Sequence, residues 1–307
     1  MPKKHLICIV GPTAVGKTAV GITLASAFET EIVSADSRQF YKELEIGTAK
    51  PSLNELSEAP HHFINSLSIH DAYDVGKYEQ EAMAKLEVLF QNNDAVILVG
   101  GSGLFVNAVC VGLDDLPDVK PNVRAELNAE LKMGGLDRLN EELKSADPEY
   151  YEIVDLKNPQ RVIRALEVIR STGKKFSEFR KRQPANRPFN VITIGLELDR
   201  EVLYNRIDQR MDGMIVEGLF EEAKRLYEHK DLNPLQTVGY SEIFAYLDGR
   251  YDKEESIRLL KRNSRRYAKR QLTWFKRNPE TVWFDPEKIQ DMLTYLKKKL
   301  ELPEAEN

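Results

Sequence analysis

Residues Gly11-Pro12-Thr13-Ala14-Val15-Gly16-Lys17-Thr18 place two glycines, a lysine and a hydroxyl residue at the spacing GxxxxGK[ST], which is the pattern of a phosphate cradle. Glycine lets the backbone curl until successive N–H groups face phosphate oxygens, Lys17 adds a point charge, and the following helix adds a favourable dipole. Thr18 is expected to set its hydroxyl on Mg²⁺. Such a loop identifies a phosphate or diphosphate ligand without saying which part of that ligand is transferred. A nucleotide hydrolase would close a later apolar strand with a metal-binding aspartate. Here the run at 95–99 leads instead into Gly100-Gly101-Ser102-Gly103, which leaves room for chemistry in which the diphosphate departs.

Asp36 directly follows the apolar run 31–35. In an open parallel sheet the carboxyl ends of the strands line one crevice, so Asp36 and Ser102 should face the phosphate loop. A carboxylate there can take a proton from an acceptor substrate. The same residue serves equally well as the turn aspartate of Ala35-Asp36-Ser37-Arg38, and Ser102 as part of a glycine-permitted tight turn.

The elements that must carry these residues follow from the apolar pattern. Residues 5–10, 31–35 and 95–99 read as buried parallel strands separated by helical spacing. A turn-rich break at 112–121 carries Asp114, Asp115, Pro117, Asp118 and Pro121. Beyond it only helical signals occur as far as residue 182, with helices expected at 123–133, 135–144 and 159–171. Residues 189–198 return to strand character, followed by amphipathic helices over 200–276 and a last piece at 289–300. The expected fold is α/β, a P-loop NTPase-like parallel sheet flanked by helices, with a small inserted all-α domain. The sheet domain with its C-terminal helices takes residues 1–113 and 190–307, and the insertion 114–189. The acidic tail at 301–307 should fray.

The chain has 307 residues, 42% of them hydrophobic, with 44 basic and 49 acidic side chains for a net charge of −5. Affinity for a polyanion must therefore come from local segregation of charge. Two segments show it. Residues 157–187 hold ten Lys or Arg against Glu167 and Glu178, and residues 258–277 hold nine with no acid. On a helix, Arg258, Lys261, Arg262, Arg265, Arg266, Lys269 and Arg270 share one half, while Leu260, Tyr267, Trp274 and Phe275 share the other. In a net acidic chain such clusters favour a nucleic-acid partner over a merely solvated face. Phe176, Phe179 and Tyr267 beside them are better core residues than stacking platforms. Cys8 and Cys110, far apart and without CxxC spacing, read as buried free thiols, and His61-His62 as loop residues. No apolar stretch approaches a membrane span, and a cytoplasmic protein is expected.

Taken together, the phosphate loop, Asp36-Ser-Arg-Gln-Phe-Tyr41, Gly47-Thr-Ala-Lys50, Pro60-His-His62, Gly100-Gly-Ser-Gly103, Asn158-Pro-Gln-Arg161, Val238-Gly-Tyr240 and Lys269-Arg-Gln-Leu-Thr-Trp-Phe275 resemble the tRNA dimethylallyltransferase family over nearly the whole chain. The resemblance implies that the loop holds dimethylallyl diphosphate and that Asp36 accepts a proton from N6 of an adenine. That adenine is position 37, 3′ to the anticodon of tRNAs reading codons that begin with U. Lys17, Thr18, Mg²⁺ and Arg210 would steady the departing diphosphate, and Ser102 would assist at the reacting centre. Asp36, Ser37, Arg38, Gln39, Ser102, Arg124, Gln160, Arg161, Val162, Ile163 and Arg164 match the family's tRNA-contacting positions. Ser102 stands where the family usually has threonine and Phe105 where it usually has tyrosine. The expected partners are the anticodon stem-loop and dimethylallyl diphosphate, with no membrane, on a monomer. A P-loop kinase acting on a nucleoside or small molecule is the main rival reading, and an RNA-binding NTPase the second.

Overall fold

His5–Val10 forms strand β1 and is buried at every position, as befits a central parallel strand covered on both faces. The computed structural model describes residues 3–180 and 183–301. Lys181 and Arg182 of the first basic segment, and residues 302–307 of the acidic tail, lie outside the described residues. Strands β2 (Ile32–Ser34), β3 (His61–His62), β4 (Ala95–Gly100), β5 (Asn190–Leu196) and β6 (Val282–Phe284) join β1 in one sheet of order β3-β2-β4-β1-β5-β6. All five pairings are parallel.

The helices are α1 (Lys17–Ala27), α2 (Leu53–Glu58), α3 (Val75–Asn92) and α4 (Gly103–Cys110), then α5 (Val123–Ala146), α6 (Pro148–Tyr151), α7 (Pro159–Thr172) and α8 (Phe176–Phe179). After β5 come α9 (Arg200–Val216), α10 (Leu219–Arg225), α11 (Tyr240–Leu247) and α12 (Lys253–Phe275), and after β6 comes α13 (Ile289–Lys299). The described chain falls into two compact units, residues 1–111 with 187–307, and residues 112–186. The first contains the sheet, with apolar clusters built on both of its faces. The second is helical, with Leu127, Leu143, Val162 and Leu166 fully buried in a core of its own. The expected α/β fold, a parallel sheet flanked by helices, is the fold observed.

Parallel register is what positions the chemistry. Val10 pairs with Gly100 and with Gly195, and Ser34 pairs with Val99. The residues one or two places further on, Gly11, Asp36, Gly101 and Ser102, therefore leave the sheet at the same edge. Gly11 has φ +151°, and a Cβ there would lie 2.7 Å from the Leu196 carbonyl oxygen, so only glycine lets the loop depart beside β5.

Two strands escaped the sequence pattern. β3 is only two residues long and pairs with β2, so His61-His62 is an edge strand and not a loop. His62 Nε2 lies 2.6 Å from Glu31 Oε2. β6, three residues, interrupts the helices before α13. With β3 counted, the helical segment enters between the fourth and fifth strands rather than the third and fourth. The helices expected at 123–133 and 135–144 are both present within α5, broken where expected by Gly135, whose φ 73° and ψ 177° are non-helical. Cys8 and Cys110 are free thiols, yet their sulfurs sit 3.3 Å apart, a contact that their separation in sequence conceals. Among the described residues no helix is long and apolar enough to cross a membrane.

Leu98 in β4 is fully buried in the core on one face of the sheet. Leu98→Ala should lower unfolding free energy by about 2–5 kcal/mol through lost transfer energy and a residual cavity, read from urea unfolding. A loss under about 0.5 kcal/mol, the range of surface changes, would show that the strand is not packed as described.

Candidate active site

Lys17 opens α1 and turns its ammonium back into the phosphate loop, donating to the carbonyls of Gly11 (3.1 Å) and Pro12 (2.8 Å). Burial lowers its pKa to about 8, against the opposing pull of nearby Asp36 and with Arg210 adding to the depression. Arg210, on α9, donates to the Thr13 hydroxyl and is itself depressed by burial, with Asp36 opposing. Val15 is fully buried in the core and packs with Ile9 and Leu196, so of the loop residues it can offer a ligand only its backbone. Thr13, Ala14, Gly16, Lys17 and Thr18 line the cleft directly.

Asp36 takes the turn role its position allowed while its carboxylate also lines the cleft. Its Oδ1 accepts the Arg38 N–H at 3.1 Å, an Asx-type turn. Its Oδ2 faces the loop: a point one bond off the Gly101 Cα lies 3.8 Å from Asp36 Oδ2 and 3.5 Å from Lys17 Nζ. Ser102 holds the segment after Asp36 in place. Its Oγ accepts the Ser37 N–H at 3.1 Å and lies 3.1 Å from Ser37 Oγ. Tyr267, on α12, lines the recess beside Asp36, and burial together with Asp36 raises its phenol pKa to about 12. Tyr267 therefore belongs to the site and not to the core.

Gln271, also on α12, went unnoticed in the sequence as a site residue. Its Oε1 accepts the Thr13 N–H at 2.9 Å, and its Nε2 donates to the Gly101 carbonyl at 2.8 Å. One amide thus fastens the phosphate loop to the turn after β4. The buried stripe of α12 is Ser256, Leu260, Ser264, Ala268, Gln271 and Phe275. Hydrophobicity alone selected Tyr267 and Trp274 instead, because the buried face of this helix is partly polar where it borders the site.

Two cavities meet at these residues. A cleft of about 260 Å³ runs from Lys17, Thr18 and Gly101 to Thr48, Ala49 and His61. A smaller one, about 80 Å³, is lined by Arg38, Met211, Met214, Val238 and Tyr267. Thr13, Asp36, Thr48 and Arg210 line both. Lys17 lines the larger cleft, Arg210 and Asp36 line both, and Met211, Met214 and Leu219 make the recess partly apolar. Gln39 lines the cleft and donates to the Thr48 and Ala49 carbonyls at 3.2 and 3.0 Å. Phe105 packs its ring against Phe40 and Tyr78. Among the described residues no group of three or more His, Cys, Asp or Glu could hold a metal. A Mg²⁺ ion here would rely on Thr18 and on its ligand's own oxygens, which suits an ion that retains water and binds through phosphates.

The basic segments need correction. Lys261 pairs with Asp212 and Arg265 with Asp208, both acids on α9, while Arg258 pairs with Glu255. Arg266, Lys269 and Arg270 remain exposed. In the helical unit Arg170 pairs with Glu130 and Glu142, and Phe176 is a core residue. Arg124 and Arg164 both reach the buried Glu167, at 3.1 and 2.8 Å, and Arg124 also donates to Gln160. Arg161 is exposed, whereas Val162 and Ile163 are fully buried. Their side chains face the core of the unit and cannot touch a ligand.

The comparisons with known proteins agree on one family. The family model described as IPP transferase matches residues 39–278. The chain is 51% identical to the tRNA dimethylallyltransferase of Cytophaga hutchinsonii, covering 97% of this chain and 98% of that one. It is 54% identical to the enzyme of that name from Flavobacterium johnsoniae, covering 92% and 93%. The chain belongs to the IPP transferase family. Among solved structures it is similar to the tRNA isopentenylpyrophosphate transferase of Bacillus halodurans, with TM-score 0.73, 39% identity and 97% of each chain covered. It also resembles a eukaryotic dimethylallyltransferase acting on tRNA, with TM-score 0.79 and 27% identity over 99% of this chain and 81% of that one. Membership in the IPP transferase family makes the chain a prenyl-transferring enzyme and excludes the kinase reading.

The depressed Lys17 pKa sets a pH dependence. A diphosphate favours the ammonium form, so affinity is full below the folded pKa of about 8 and declines as pH rises through it. Comparing wild type with Lys17→Met cancels the ionisation of inorganic pyrophosphate itself. Measured by calorimetry, their affinity ratio should fall by up to about tenfold per pH unit above about 8, and a ratio level from about pH 7 to 9 would contradict the assignment.

Proposed function

We propose that this chain transfers the dimethylallyl group of dimethylallyl diphosphate to N6 of adenine 37, 3′ to the anticodon, in tRNAs that read codons beginning with U. The observation that carries the proposal is the meeting of Lys17, Arg210 and Asp36 on one cleft, in a chain about half identical to proteins named for this reaction. In our reading it acts in the cytoplasm as a monomer.

The diphosphate sits against the backbone N–H groups of residues 11–18, with Lys17, Thr13 and Arg210 around it. The Thr18 hydroxyl would hold a Mg²⁺ ion, which would supply further neutralisation of the leaving group's charge. The N6 lone pair forms the new bond to the allylic carbon as the carbon–oxygen bond breaks and its electrons leave with the diphosphate. The N6 proton passes to Asp36 Oδ2, the oxygen its turn does not use. Lys17 and Arg210 stabilise charge as it develops on the departing oxygens, a stabilisation favoured by their partial burial. Ser102 acts through Ser37, keeping the Asp36 segment in register. For the tRNA, Asp36, Ser37, Arg38, Gln39 and Ser102 form the contacts near the reacting base, which must leave its stack to reach them. Arg124, Gln160, Arg161 and Arg164 form a basic contact in the helical unit, where Glu167 holds two of the guanidinium groups.

Incubating the protein with radiolabelled dimethylallyl diphosphate and undermodified tRNA should move label into tRNA. In Asp36→Ala the single-turnover rate should fall by about 10²–10⁴-fold, the usual worth of a positioned base. Affinity for tRNA should change little, because phosphate contacts from Lys and Arg dominate it. Unchanged turnover in Asp36→Ala would refute the base, and ATP-dependent phosphorylation with no prenyl transfer would refute the reaction.

A further inference from the structure

Glu222, on α10, is 2% exposed and takes four hydrogen bonds. Its Oε2 accepts the N–H groups of Glu45 (3.2 Å) and Ile46 (2.9 Å). Its Oε1 accepts the Gly47 N–H (3.0 Å) and the Tyr240 hydroxyl (2.7 Å). Three consecutive backbone amides converging on one carboxylate form an anion nest, here occupied by a side chain from a distant helix. Tyr240 is fully buried. Burial, and then Glu222, raise its phenol pKa, so it stays a hydrogen-bond donor. At Gly47 a Cβ would sit 2.6 Å from the Tyr240 ring, so the ring and the loop fit only because residue 47 is glycine. Gly47 and Tyr240 come from two motifs for which the sequence suggested no role.

The latched loop leads straight to the reacting groups. Gly47 and Thr48 line the recess beside Asp36, and Thr48 and Ala49 line the cleft beside Lys17. The carbonyls of Thr48 and Ala49 are gripped by Gln39, whose own N–H donates to the Asp36 carbonyl at 3.1 Å. Glu222 therefore holds the loop by its amides while the Asp36 segment holds it by its carbonyls. We infer that Glu222 and Tyr240 are positioning residues for prenyl transfer, fixing the wall formed by Gly47, Thr48 and Ala49 and, through Gln39, the aim of the Asp36 carboxylate. This rests on the proposed function. The phosphate loop is anchored separately, by Gln271 and Arg210, so diphosphate affinity does not depend on the latch.

Tyr240→Phe and Glu222→Gln test it. Single-turnover prenyl transfer at saturating substrates should slow by about tenfold in Tyr240→Phe and by about a hundredfold in Glu222→Gln, the scale of a small misalignment of reacting groups. Binding of inorganic pyrophosphate should stay within about twofold, as for an independently anchored site. A merely structural role would reduce the reactive fraction and the melting temperature while leaving the rate constant at the wild-type value, and that result overturns the inference. Amide exchange gives a second readout. Ile46 and Gly47 should exchange about tenfold faster or more in Tyr240→Phe, as expected where a local bond is lost, and unchanged exchange overturns the latch. Exchange needs no substrate, so it judges the latch even if wild type transfers no prenyl group, an outcome that would sink the functional reading alone.

Discussion

The structure depends on holding two cationic groups, Lys17 and Arg210, partly out of water next to one carboxylate, Asp36. Desolvation weakens both cations, and Asp36 restores part of the loss. Attraction and repulsion there are stronger than at an exposed surface because the local dielectric is low. In the proposed reaction a diphosphate entering such a place would gain from both cations, and a proton leaving the acceptor would pass to the Asp36 carboxylate in the same cleft.

The restraints are hydrogen bonds from side chains that come from far along the chain. Gln271 ties the phosphate loop to the turn after β4. Ser102 ties the Asp36 segment to the same turn. Glu222 grips the loop that forms the opposite wall. Gln271 and Glu222 both reach from helices of the C-terminal half, so the helices after β5 line the candidate site and are not only a cover for the sheet.

How much of this was legible from residues alone depended on whether the chemistry was contiguous. The phosphate loop lies in eight successive residues with a strand before it and a helix after it, so its place at the sheet edge was readable. Asp36 and Ser102 were placed on the correct edge by the parallel-sheet rule, because register carries strand ends to one level. Gln271 and Glu222 were not readable, since a lone polar residue in a helix gives no sign that its partners lie 258 and 177 positions away. The basic face of α12 misled for the same reason: Asp208 and Asp212 neutralise part of it from another helix. Val162 and Ile163 were matched to tRNA contacts along a continuous stretch, although a helix turns about 100° per residue and cannot present five neighbours to one ligand. The short strands β3 and β6 gave no periodicity to read.

The account is tested most directly by a crystal structure of this protein with a non-hydrolysable thio analogue of dimethylallyl diphosphate and an anticodon stem-loop. It predicts the diphosphate against the amides of residues 11–18 and the exocyclic nitrogen of the flipped adenine within about 3.2 Å of Asp36 Oδ2, the reach of a general base. An adenine nitrogen facing another group, or a diphosphate seated away from Lys17 and Arg210, would contradict it.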